Sequence, residues 1–128
     1  MFTVLIVDDE PDVCDLMRRV FERAGWTAVC LSDPTLVPSV LRSLNIDVVL
    51  TDLMMPALDG IGVVRAVRAS SSAAVAGVPV VIYSAVSDES VIARAREAGA
   101  DDYLVKPTPV AAVVGRVGRA AGARRLAA

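Results

Sequence analysis

Four short apolar runs each end on a residue type that handles phosphate or metal. Val4-Leu5-Ile6-Val7 leads into Asp8-Asp9-Glu10, and Val48-Val49-Leu50-Thr51 leads into Asp52. Val80-Val81-Ile82-Tyr83 leads into Ser84-Ala85, and Tyr103-Leu104-Val105 leads into Lys106-Pro107. Carboxylates attract a hard divalent cation, whereas an ammonium and a hydroxyl attract anionic oxygens. Brought to one spot, they would form a metal-assisted phosphoryl site. Singly, each is ordinary. Asp8-Asp9-Glu10-Pro11 also suits a helix start with favourable dipole contacts. Asp52 alone is a loop acid, Ser84 a turn residue, Lys106 a surface charge, and Met54 and Met55 loop packing. Only the joint arrangement points to chemistry.

Bringing the run ends together requires a parallel sheet. Short apolar runs separated by helix-like segments read as buried parallel strands, and ligands of such sheets sit outside the strands' carboxyl ends. Strands and helices alternate five times along the chain, which predicts an α/β sheet flanked on both faces. Pro11 suits a first helical turn, and Val13, Leu16, Met17, Val20, Phe21 and Ala24 follow helical spacing until Gly25. A second strand is expected over Trp26–Leu31. Asp33-Pro34 opens a second helix with Leu36, Val37, Val40, Leu41 and Leu44 inward, its start made irregular or late by Pro38. A third helix is expected near Ile61–Ala69, followed by a loose connector over Ser70–Gly77. The fourth begins at Ser87 or Asp88, carries Val91, Ile92, Ala95 and Ala98, and stops at Gly99. The fifth opens at Thr108-Pro109 with Val110, Val113, Val114 and Val117 on its face; Gly115 and Gly118 each cost it about 1 kcal/mol relative to alanine.

At 128 residues the chain is expected to form one domain, and with 55% hydrophobic but only 4% aromatic residues its core must be aliphatic. The net charge of −2 and the lack of a basic block argue against a nucleic-acid or membrane surface. Met1 leads straight into a strand with no basic leader, and no apolar run approaches the ~20 residues of a membrane span, so a cytoplasmic location is expected. Cys14 and Cys30 lack CxxC spacing and are expected as small buried hydrophobes. With no histidine, the commonest transition-metal ligand is missing and the chain itself cannot carry phosphohistidine.

From about Phe2 to Ala120 the chain resembles the receiver domain of two-component response regulators. The resemblance rests on Asp8-Asp9, Asp52 with Pro56 four residues on and Asp59-Gly60 seven and eight on, Ser84-Ala85, Lys106-Pro107, and Tyr103 three before the lysine. It implies a flavodoxin-like, doubly wound, five-stranded parallel sheet of order 2-1-3-4-5 with five flanking helices. Residues 1–120 would be the receiver and 121–128 a C-terminal tail or truncated linker. It implies that Asp52 is the phosphoacceptor and that Asp8, Asp9, Asp52 and the Met54 backbone carbonyl hold one Mg²⁺. Lys106 would pair with a phosphoryl oxygen, while the Ser84 hydroxyl and Ala85 N–H receive the group. Ser84 and Tyr103 fall at the switch positions, and Lys106–Pro107 is a candidate cis peptide.

The implied partners are a histidine kinase or phosphotransfer protein as donor and a downstream effector domain or protein as recipient, with no direct nucleic-acid or membrane contact. The domain would be regulatory rather than an enzyme, catalysing only its own phosphorylation and dephosphorylation. Phosphorylation would turn Ser84 inward, draw the Tyr103 ring after it, and remodel the surface of helix four, strand five and helix five. Winged-helix regulators pair charges across a symmetric dimer on that face. Ala112 and Gly118 stand where two of those charges are expected and Ile92 lies near a third, so a monomer or weak dimer is expected. A degenerate receiver acting as a phosphorylation-independent docking module stays open. A haloacid-dehalogenase-type phosphatase is disfavoured because Asp8 is followed two residues on by Glu10, and a nucleotide-binding domain because no Gly-rich loop follows strand one.

Overall fold

Aliphatic runs become inner strands because helices cover both of their faces. In the computed structural model, which describes residues 1–127, β1 (Thr3–Val7), β3 (Val48–Thr51) and β4 (Val80–Ser84) form the buried centre of one sheet. β2 (Thr27–Leu31) and β5 (Asp102–Val105) are its edges, and all five strands run parallel in the order 2-1-3-4-5. Side chains alternate between two cores. Val4, Ile6, Val48, Leu50 and Val81 meet α1 (Pro11–Arg23) and α6 (Val110–Ala127) through Met17, Phe21, Val113 and Val117. Leu5, Val7, Val49, Val80 and Ile82 meet α2 (Val37–Ser43), α3 (Gly60–Arg68) and α5 (Glu89–Ala98) through Val37, Leu41, Val64, Val67 and Ala95.

The helix count is six rather than five. The connector expected to be loose contains a one-turn helix, α4 (Ala73–Ala76), because Val75 buries itself while Ser72 Oγ accepts the Val75 N–H at 3.3 Å. The second helix starts late: Asp33 caps a single 3₁₀ turn at Pro34–Leu36, and Pro38 then falls in the first turn of α2, where its missing N–H costs nothing. That 3₁₀ turn swings Leu36 out of the helical stripe, and Leu44 lies past the helix in extended backbone, so both are about half exposed instead of inward. Leu16 points away from the α1 stripe of Cys14, Met17 and Phe21, and Val110, at the first position of α6, is likewise exposed. Cys14 is buried as expected, but Cys30 lies on edge strand β2 and is exposed, which corrects the expectation for that cysteine. Burial first, then the neighbouring Cys30 thiol, pushes Cys14 up to about 12. No helix among the described residues is long and apolar enough to cross a membrane. Of the tail assigned to 121–128, Ala128 lies outside the described residues, Ala121 is fully buried, and Arg125 donates to Asp47 and to the Met1 carbonyl at 2.7 Å.

One side chain ties three connections together. From the last turn of α3, Arg68 donates to the carbonyls of Ala76, Val78 and Gly99 and to the Asp101 carboxylate, at 2.6 to 3.1 Å. Asp101 in turn accepts the Val80 N–H at 2.8 Å, which sets the entry to β4. Replacing Arg68 by alanine strips several partly buried carbonyls of their partner at once. Arg68→Ala is expected to lower the unfolding free energy by about 2–4 kcal/mol, read from urea midpoints, with Arg68→Lys recovering only a minor part.

Candidate functional site

Asp8, Asp52 and Lys106 at the carboxyl edge each follow a strand and are still held by a neighbour's ladder. The Asp8 N–H donates to Leu31 O at 3.1 Å, the Asp52 N–H to Val7 O at 3.0 Å, and the Lys106 N–H to Ser84 O at 2.8 Å. Strand pairing therefore places these residues to within a hydrogen-bond length. Their convergence is a property of the sheet, not of flexible loops.

Carboxylate oxygens of Asp8, Asp9 and Asp52 all lie within 4.8 Å of one another, close enough to share one metal ion. Asp8 is buried, and its Oδ1 accepts the Glu10 N–H at 2.9 Å. Asp52 Oδ1 accepts the Leu53 N–H at 2.8 Å. Burial pushes the Asp8 carboxyl above its ordinary range, and the charges of Asp52 and Asp9 add to this; the Glu10 N–H and Lys106 pull the other way without cancelling it. An oxygen-rich, crowded set of this kind fits a small hard divalent cation, since a cation relieves the repulsion the carboxylates otherwise carry.

Gly60, the first residue of α3, is what lets this loop close. A Cβ there would sit 2.5 Å from the Asp52 carbonyl oxygen, so only glycine permits the approach. Asp59 caps the same helix, its Oδ1 accepting the Gly62 N–H at 2.7 Å. Met54 follows Asp52 by two residues with its side chain out in solvent, whereas Met55 is buried against the core, so only the second serves as packing.

Ser84 is buried at the end of β4, with its Oγ accepting the Val86 N–H at 3.1 Å, and Ala85 beside it is exposed. Tyr103 is buried as well, in the inward position, with its hydroxyl donating to Val86 O at 2.7 Å; burial pushes that hydroxyl's pKa up. The Lys106–Pro107 peptide is cis. Lys106 and the partly buried Tyr83 share a crevice with Asp8 and Asp52, the Lys106 ammonium lying 5.0 Å from the centre of the Tyr83 ring. Sequence reasoning gave Tyr83 no role, although its position directly before the hydroxyl residue on a strand end was visible.

Residues 4–117 match the family model of the response regulator receiver domain. The chain belongs to that family. It is 36% identical over 114 residues to the DNA-binding response regulator MtrA of Mycolicibacterium smegmatis, an alignment covering 89% of this chain and 48% of that protein. It is 38% identical over 114 residues to the transcriptional regulatory protein PrrA of Mycobacterium bovis, covering 89% and 47% respectively. The receiver thus spans about half the length of these curated relatives. Among solved structures, the Francisella response regulator 1452 receiver domain superposes with a TM-score of 0.87 at 27% identity, covering 97% of this chain and 99% of that one. A response regulator receiver domain protein from Clostridium thermocellum superposes equally well, with a TM-score of 0.87 at 25% identity and full coverage of both chains. The fold is that of receivers, and the receiver is a regulatory domain of two-component signalling.

Clustered acids make a stability signature. In chelator, Asp52→Asn or Asp9→Asn is expected to be more stable than the wild type by up to about 3 kcal/mol, the Coulomb energy of two carboxylates ~5 Å apart at an effective dielectric near 20. Millimolar Mg²⁺ is expected to stabilise the wild type by binding the native state alone. Because the folded-state pKa of Asp8 lies above its ordinary 3.8, folding takes up a proton between those two values. The stability advantage of Asp8→Asn over the wild type in chelator should therefore grow as pH rises through that window and level off above it. Urea midpoints across the pH range, with and without Mg²⁺, check both expectations.

Proposed function

We propose that the receiver accepts one phosphoryl group on Asp52, with Mg²⁺ held by Asp8, Asp9, Asp52 and the Met54 carbonyl. The observation that carries this is the cluster of three carboxylates at neighbouring strand ends, with Lys106 in the same crevice as two of them. Asp52 is the acid at the end of the central strand β3, and Leu53 N–H occupies one of its oxygens. Its other oxygen attacks phosphorus, the P–N bond of a phosphohistidine donor breaks, and the departing imidazole nitrogen takes up a proton. The cation, when bound, neutralises charge on the acids and on the transferring group. Lys106 would pair with a phosphoryl oxygen that the metal does not cover, and the Ser84 hydroxyl and Ala85 N–H would receive another. Phosphoryl transfer asks mainly for such positioning and charge balance. The donor is a histidine kinase or phosphotransfer protein, the recipient a downstream effector, and the setting cytoplasmic. Residues 1–120 form the receiver and 121–128 a C-terminal tail or truncated linker, although Ala121 still packs in the core.

The output is a change in the surface of α5, β5 and α6. A phosphoryl group brings about −1.5 to −2 charges and three strong acceptors. For Ser84 to donate to it, the hydroxyl turns toward the site and the Val86 N–H must find another partner. The inward Tyr103 packing described above would then be one of two arrangements, the one the phosphoryl group stabilises. On this face Arg116 makes a bidentate pair with Asp102 of its own chain, at 2.6 and 2.7 Å, and Asp101 is taken by Arg68. Charges engaged within one chain are poor contributors to a dimer, so a monomer or weak dimer follows.

Incubation with acetyl phosphate, followed by intact-mass measurement, should add one phosphoryl group in Mg²⁺ and none in chelator. Asp52→Asn should stay unlabelled; equal labelling of that variant would move the acceptor elsewhere, and failure of the wild type to label would favour the docking-module alternative. Sedimentation of the phosphorylated domain should show no tight symmetric dimer, since an exposed ion pair gives about 0–1 kcal/mol where micromolar association needs about 8. A dimer persisting at low micromolar concentration and lost in Arg116→Ala would overturn that expectation.

A further inference from the structure

Lys106 shares its crevice with Asp8 and Asp52 yet makes no ion pair within 4.0 Å with either; the cations of the six ion pairs among the described residues are all arginines. Its ammonium rests instead over the Tyr83 ring, 5.0 Å from the centroid. Tyr83 also reaches the segment that carries the lysine, its hydroxyl donating to the Thr108 carbonyl at 3.4 Å. Thr108 in turn donates its hydroxyl to Val105 O at 2.6 Å, which closes the turn around Lys106. Within β4, Tyr83 and Val81 face the α1–α6 side, while Ile82 lies on the opposite face; Tyr83 therefore points into the crevice floored by Asp8 and Asp52.

We infer that Tyr83 is a positioning residue, whose ring keeps the Lys106 ammonium beside the phosphoryl site and off the Asp52 carboxylate. The inference rests on the phosphoacceptor role proposed for Asp52. A lysine collapsed onto Asp52 would occupy an oxygen that must attack phosphorus, and an incoming phosphoryl oxygen would first have to break that ion pair. An aromatic face attracts a cation through its quadrupole without offering a lone pair or a fixed direction. Held this way, the ammonium stays close to the site and free to transfer to an anionic oxygen at little cost. The aromatic ring carries this role; the hydroxyl only steadies the turn.

Two substitutions separate ring from hydroxyl. Tyr83→Phe keeps the ring and should phosphorylate at the wild-type rate with acetyl phosphate and saturating Mg²⁺. Tyr83→Leu keeps apolar bulk without the quadrupole and should slow phosphorylation roughly two- to five-fold, the weight of a partly exposed cation–π contact. A second readout does not depend on activity: in the unphosphorylated protein the Lys106 Hε resonances should be shifted upfield by the Tyr83 ring current, equally so in Tyr83→Phe, and return to ordinary lysine values in Tyr83→Leu. If Tyr83→Leu does not fold, the wild-type and Tyr83→Phe spectra still decide the placement. Unshifted Lys106 resonances, or wild-type kinetics in folded Tyr83→Leu, would overturn the inference. Labelling of Asp52→Asn would instead sink the phosphoacceptor assignment, so the two failures are distinct.

Discussion

Mutual repulsion among Asp8, Asp9 and Asp52 is the constraint around which the molecule is organised. Carboxylate oxygens within 4.8 Å of each other push apart, and the loop N–H groups of Glu10 and Leu53 offset this only in part. The restraint comes from the sheet. Each strand end is pinned by its neighbour's ladder, and the inner strands are locked between two aliphatic cores in which Val4, Leu5, Val48, Val49 and Val80 are fully buried. Apolar burial, at roughly 25 cal/mol per Å², is the source of energy that keeps an unfavourable charge cluster in place. A cation or a phosphoryl group that changes the charge balance therefore acts on a strained spot backed by a stiff frame, which is what a switch requires.

The frame was legible in the sequence because its signals are redundant. Inner strands such as Val48–Thr51 are apolar throughout, as parallel strands covered on both faces must be, and each ends on its polar residue without ambiguity. The same regularity exposed the four strand ends that meet at the carboxyl edge. Less legible was whatever depends on which side of an element faces a neighbour. Leu16, Leu36 and Leu44 satisfied a helical pattern on paper, but Leu16 falls off the buried stripe of α1, and a 3₁₀ turn and an early helix end displaced the other two. Cys30 alternates correctly on its strand, yet an edge strand leaves that position exposed. The Ser70–Gly77 segment carried no strong periodicity; one buried valine sufficed to fold it into a turn of helix. The roles of Arg68 and Tyr83 were hidden for a different reason: both act on residues distant in sequence, and only the packed structure shows what they reach.

The face formed by α5, β5 and α6 shows how intrachain pairing limits what a surface offers to others. Burial pushes the Asp102 carboxyl up, but the Arg116 guanidinium and the Tyr103 N–H more than offset this and hold it below the usual carboxylate range. Arg116 is raised in turn by the same pair. A pair satisfied this well must be dismantled before either partner can recognise another molecule. Recognition on this face then depends more on shape, including how the Tyr103 side packs, than on free charge.

The bond between Arg125 and the Met1 carbonyl has a topological consequence. Near its end, α6 also stacks the Arg125 guanidinium over the Phe2 ring, 4.4 Å from its centroid, so the first strand and the last helix finish side by side. A short linker would join them without crossing the body of the domain. Reopening the chain elsewhere, for instance at the exposed Ser71 between α3 and α4, would give a circular permutant with the same sheet, the same acids at its carboxyl edge and a different order of synthesis.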